Sequence, residues 1–197
     1  MSRWKIIGNS PGSMSANGAA GALFPGRHMK QKIERELLKH FLASIAYRTQ
    51  KAVRDAPMEF WEFSAGNKTR TPADVLRHMT SVLGYARTFM IGGTYPIRPE
   101  PLANADEEIN RFHEVLEDLG RLLAAGTALK EITGQQLLQG PLSDVMTHAG
   151  QLALLRRLYG SPVPPENFIF ADIAPERLGR NQSAPRHPDK EWPEQLD

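Results

Sequence analysis

GPLSDVMTHAGQLALLRRLYG, residues 140–160, is the stretch from which the fold is read. It reads as a helix with Pro141 at its first position, where a missing N–H leaves nothing unpaired. On a helical wheel Val145, Leu152, Leu155 and Tyr159 share one broad apolar face. His148 falls in the middle of that face, and Asp144 lies one turn before it. Residues four apart on a helix sit one above the other. A carboxylate and an imidazole therefore project together from a surface expected to be buried. An unpaired buried carboxylate is expensive. Either a protein partner satisfies the pair, or the pair holds a metal.

Three further helical segments lie upstream. Residues 30–56 repeat Ile33, Leu37, Phe41 and Ile45 at spacing four, and Pro57 ends them. Residues 71–91 open with Thr71 as N-cap, Pro72 at the first helical position and Asp74 completing a capping box. The apolar stripe there is Val75, Met79, Val82, Leu83 and Phe89, and Gly92 and Gly93 stop it. Asn104 and Glu107 form a second capping box, before a helix to about residue 125 that turns Ile109, Phe112, Leu116, Leu119 and Leu123 inward. Residues 131–139 add at most a short helical turn. Four helices with intervening loops argue for an all-α four-helix bundle. The connection PMEFWEFSAGNKTR carries Phe60, Trp61 and Phe63, too aromatic for a solvated loop, and is expected to cover one end of the bundle.

The flanks differ in composition. Residues 1–28 are rich in Gly, Ser and Ala and hold no acidic residue. They read as an extended arm outside the core, an upstream extension or a cloning remnant. Residues 29–160 form the bundle domain. Residues 161–197 are an irregular proline-rich tail, which Phe168, Ile169, Phe170 and Trp192 are expected to pack onto the bundle.

The chain of 197 residues is 41% hydrophobic, enough for one core. It has no cysteine, which excludes disulfides and thiolate metal sites. No apolar run approaches the ~18 residues of a membrane span, and no secretory signal is evident, so a cytoplasmic protein is expected. Net charge is +2, from 24 cationic and 22 anionic residues, with no basic block of the kind a nucleic-acid binder concentrates.

Of six histidines, His28 and His187 lie in the flanks. His113 sits beside the stripe of the third helix among charged neighbours and reads as solvated. His78 lies on the edge of the second helix's stripe, with Ser81 and Tyr85 one and two turns on. His40 lies on the flank of the first, near Ser44 and Tyr47. One carboxylate and two histidines from two helices would leave a metal's fourth side open, as catalytic sites do. Such a set suits zinc, nickel or iron(II). A buried Asp–His hydrogen bond is the competing account, and His40 is a candidate fourth ligand. Asp74 also precedes His78 by four residues, but the capping box accounts for it. Gln151, one turn after His148, is placed to orient a ligand or a bound water. Gly150 costs the helix about 1 kcal/mol relative to Ala, and close helix contact is the expected reason.

TPADVLRHMTSVLGYAR and PLSDVMTHAGQLALLRRL together resemble the DinB-like superfamily of metal-binding four-helix bundles. In that family a Ser or Thr, an acidic residue three positions on and an aliphatic pair lead to a helix-two histidine, matched by His78. A second cluster on the last helix ends in a histidine followed by Gly-Gln, matched by His148, Gly150 and Gln151. The resemblance spans roughly residues 30–160. Asp144 stands where many members place a first last-helix histidine and where related thiol-dependent isomerases place Glu. The resemblance implies a divalent metal on His78, Asp144 and His148, zinc or nickel before iron. It implies activation of a low-molecular-weight thiol, or of water, for attack on a small electrophile, with Tyr85 and His40 to move a proton. A transferase of thiol S-transferase type or a hydrolase is the implied enzyme; a non-catalytic stress-related metal- or ligand-binding protein and a purely structural scaffold are the alternatives. The small-molecule substrate is the expected partner, with no nucleic acid or membrane, and a homodimer is expected by analogy with similar bundles.

Overall fold

The computed structural model describes residues 25–185, with side chains from residue 28 onward. The expectations for residues 1–24 and Trp192 lie outside the described residues. Those described are all-α, and four long helical segments form a bundle. Helix α1 is Pro25–Val53, α2 is Pro72–Ile91 and α3 is Ala105–Ala124. The fourth segment begins with the short α4, Gly134–Leu137. It passes through a π-helical turn at Leu138–Leu142 and continues as α5, Ser143–Leu158. Around the bundle α1 packs on α3 and α5, and α2 packs on the same two. The pairs α1/α2 and α3/α5 therefore occupy the diagonals.

Local signals explain most boundaries. Thr71 Oγ1 accepts from the Asp74 N–H at 3.2 Å, with Pro72 at the first helical position. Asn104 accepts from the Glu107 N–H at 2.9 Å. Gly92 ends α2 at φ 80°, a conformation L side chains resist. The first helix starts at Pro25, five residues before the expected start at residue 30.

The fourth segment departs from expectation in a way that matters for the site. Pro141 lies inside the helical run rather than at its start. The N-terminus is Thr133, in a capping box with Gln136. In an α-helix the Pro141 ring would press on the carbonyl four residues back, with no N–H to offer it. The π-helical turn accommodates the ring by taking up an extra residue. Ser143 Oγ donates to the Leu138 carbonyl at 2.7 Å, satisfying an acceptor within that turn.

Two apolar assignments need correction. Ile33 and Leu37 are 53% and 66% exposed, whereas Leu38, Leu42, Ile45 and Ala46 are buried. A strict spacing of four drifts about 40° per step around a helix with 3.6 residues per turn. The run from Ile33 to Ile45 therefore turns through about 120° and cannot stay on one face. His113 is not solvated but 3% exposed. Its Nδ1 donates to the Leu178 carbonyl at 2.7 Å, and Gln50 Oε1 lies 3.1 Å from Nε2. Burial, partly opposed by the Leu178 bond, pushes its pKa down to about 4. A neutral ring that donates through Nδ1 is satisfied at Nε2 by turning the Gln50 carboxamide end for end, which brings its NH2 there as donor.

The connections cap the bundle. Phe60 is buried in a 3-10 turn at Met58–Glu62, and the Phe60 and Phe63 rings meet Tyr159 edge-on at 5.8 and 5.5 Å. Of the tail residues expected to pack, Phe168 does so against Tyr47 and Arg48, whereas Ile169 and Phe170 do not. Ile169 and Phe170 are 85% and 58% exposed. Leu178 and the buried polar residues Glu166 and Gln182, which were not anticipated, hold it together with Phe168. Tyr47 donates to Glu166 at 2.5 Å, and Lys51 lies 3.1 Å from the same carboxylate. Burial foremost, then the bond to Glu166, raises the Tyr47 pKa and keeps the phenol a donor.

Candidate metal centre

The centre lies between the adjacent helices α2 and α5. His78 enters from the second turn of α2, fixed in depth by the Thr71 cap. His148 and Asp144 enter one turn apart from α5. One ligand atom from each of the three lies within 4.8 Å of the others. Nε2 of His148 is 3.5 Å from one Asp144 oxygen, and Nε2 of His78 is 3.9 Å from the other. The two rings stand edge to face, 4.7 Å apart at 84°.

Those separations bear on the competing accounts. An N–H···O hydrogen bond spans about 2.7–3.2 Å. Neither histidine is that close to Asp144, so an Asp–His hydrogen bond does not explain the grouping. The short contact of His148 is instead to Gln151, whose Oε1 lies 2.7 Å from Nδ1. A carboxamide oxygen only accepts, so Nδ1 carries a proton, which leaves Nε2 facing Asp144 as the nitrogen available for ligation. This is how metal-binding histidines are oriented. Burial, and then Arg70 and His148, lower the His78 pKa against the pull of Asp144. A lowered pKa favours the neutral imidazole that ligation requires. His78, Asp144 and His148 thus form a group that could hold a metal ion.

Asp144 differs from expectation in one respect. Its side chain is 48% exposed, while that of His148 is 9% exposed. It stands at a cavity mouth rather than in the core, so it carries no large desolvation cost. Gly150 also differs. A Cβ there would meet no atom within 4 Å, so close helix packing is not its reason.

Two cavities flank the group. One, of about 410 Å³, reaches Asp144 along a mostly apolar wall that includes Val82, Phe89 and Ile132. Tyr85 lines it too, with its ring edge-on to Phe89 at 4.8 Å. The other, of about 520 Å³, borders His78 and is lined by Arg70, Arg77 and Arg98. Ser81 Oγ donates to the carbonyls of Pro96 and Ile97 at 2.7 and 3.0 Å, which pins the loop carrying Arg98 to α2. Arg77 is engaged by Asp74 and Glu108, at 3.1 and 3.0 Å. Asp74 is thus both cap and ion-pair partner.

The structure brings His78, Asp144 and His148 together, with Gln151 behind His148 and Tyr85 along the adjoining cavity. It does not bring in His40, whose side chain is exposed on α1 and absent from the ligand group. The cationic wall was not anticipated. Its signal was a run of arginines on both sides of His78, at 70, 77 and 98. No protein-family model, curated protein or solved structure matches this chain. Among the described residues, no helix is long and apolar enough to cross a membrane.

Proposed function

We propose that this chain is a metal-dependent enzyme of the DinB-like kind, acting on a small electrophile with a thiol or water as nucleophile. The observation that supports it is the convergence of two imidazole Nε2 atoms and one carboxylate at separations too long for hydrogen bonds. The donor set fits zinc or nickel, with iron(II) third. When bound, a divalent ion supplies Lewis acidity that generates a nucleophile from water or a thiol near neutral pH.

The remaining work falls to the chain itself. His78, Asp144 and His148 hold the ion, and Gln151 keeps the His148 proton on Nδ1. The Tyr85 phenol lines the apolar cavity, where it is placed to give or take a proton. The wall formed by Val82, Phe89 and Ile132 excludes water and accepts an apolar substrate group. Arg70 and Arg98 favour a substrate that also carries negative charge. His40, too exposed and outside the group, has no part in this reading.

The test is metal stoichiometry by elemental analysis, run beside a thiol-dependent assay with a generic electrophile. One ion per chain is expected in the parent and in Asp144→His, with little in His78→Ala, His148→Ala or Asp144→Leu. Loaded parent should consume the electrophile faster than metal-free protein. Parent protein with no more metal than His78→Ala would remove the centre. Stoichiometric metal with equal rates in loaded and metal-free protein would leave a binding protein without turnover.

A further inference from the structure

A third cavity, of about 200 Å³, lies between α1, α5 and the tail, and none of the three metal-centre residues lines it. Its charged wall comes from α1, where Arg48 and Lys51 are one turn apart, and from Glu166 of the tail. Its opposite wall is apolar and small, with Ala149, Gly150 and Ala153 on α5.

The charges there do not balance. Glu166 is already paired: one oxygen accepts from Tyr47 and the other lies 3.1 Å from Lys51 Nζ. That leaves Arg48. Its guanidinium lies 3.6 Å from the centroid of the Phe168 ring. Among the described residues it has no hydrogen-bond acceptor of its own. Burial lowers its pKa, and Glu166 across the cavity only partly opposes this. A guanidinium held over an aromatic ring loses little freedom on binding and presents a fork suited to a carboxylate.

Gly150 supplies an independent observation. A glycine inside a helix is unfavourable, and no packed neighbour requires this one. Its effect is to leave the cavity wall without a side chain. We propose that this cavity is a second ligand site, taking a small monocarboxylate whose charged end meets Arg48 and whose short apolar body lies on the α5 wall. One net positive charge, from two cations and one carboxylate, suits a monoanion better than a dianion such as phosphate.

Isothermal titration of the full chain with butyrate, butyramide and inorganic phosphate tests this. One butyrate per chain is expected, with butyramide and phosphate at least about tenfold weaker, the equivalent of one good charged contact. Arg48→Gln should weaken butyrate by a similar factor. Gly150→Leu, which extends a side chain from the open wall, should abolish binding without lowering the melting temperature. His78→Ala should bind butyrate like the parent. Absence of butyrate binding, equal binding of butyramide, or a preference for phosphate would each overturn the proposal. So would butyrate binding that survives both Arg48→Gln and Gly150→Leu, or that disappears in His78→Ala.

Discussion

His113 carries a pH dependence whose sign is determined by its environment. Its ordinary pKa is 6.5, and burial pushes it down to about 4 in the folded chain. Above pH 6.5 the ring is neutral whether folded or unfolded. Between the two values the unfolded chain binds a proton that the folded chain refuses, so stability falls as the medium is acidified. The slope from this one group is at most about 1.4 kcal/mol per pH unit. Urea midpoints from pH 7.5 to 4.5 should therefore fall more steeply for the parent than for His113→Gln. That variant should also cost about 1–3 kcal/mol at pH 7.5, because Leu178 and Gln50 lose their partner. Parallel pH profiles would absolve His113. Gln151 makes a second prediction at this scale. Gln151→Ala frees the His148 tautomer and should weaken metal binding about 10–100-fold with the fold intact, as a chelator competition would show. Both histidines of the centre were legible because the apolar stripes of their helices placed them. His113 was misread from its charged neighbours, although it lies four after Ile109 and three before Leu116, which is a buried position on that same helix. The exposure of Asp144 was not legible. It depends on a cavity wall contributed by α2 and by residues before the π-helical turn.

Within α2 a glycine and a loop aromatic form a coupled pair. A Cβ added at Gly84 would overlap the Tyr95 ring, which lies across the helix there. Gly84→Ala should therefore destabilise by about 1–3 kcal/mol through overpacking, despite the helix propensity it gains. In a Tyr95→Ala background the same substitution should instead stabilise, by up to about 1 kcal/mol. Chemical denaturation of the four proteins measures the change of sign. Additive effects would show that the ring swings away freely. The boundaries of α2 and α3 could be read from their caps, because a cap is a local interaction of three or four residues. The π-helical turn could not. A proline normally marks a helix start, and only packing of the segment against α2 and α1 holds it within a continuous run.

Across the whole molecule the tail is fastened to the bundle by charge as much as by apolar contact. The side chains of Glu166 and Lys51 are 1% and 9% exposed. Removing one partner leaves the other buried and unpaired, so Glu166→Ala should cost about 3–5 kcal/mol. The triple variant Glu166→Leu/Lys51→Met/Tyr47→Phe, in which the Tyr47 hydroxyl that Glu166 accepts from is removed as well, should recover most of that loss, because apolar volume tolerates the site. Urea unfolding of both variants is the measurement. A triple variant as unstable as Glu166→Ala would place the anchoring elsewhere in the tail. The bundle itself was legible from four apolar periodicities, but this fastening, in which Glu166 also accepts from Tyr47, 119 positions away, left no local trace.

The π-helical turn at Leu138–Leu142 also acts as a phase adjuster. Ile132 and Gln136 precede it, Asp144 follows it, and all three border one cavity. Each residue of an α-helix advances the chain by about 100° around the axis. Deleting a single residue from the turn would rotate everything upstream by about that angle relative to Asp144, while His78 and His148 kept their places. The shape of the space beside the metal group can therefore change through insertions and deletions here, independently of the ligands themselves.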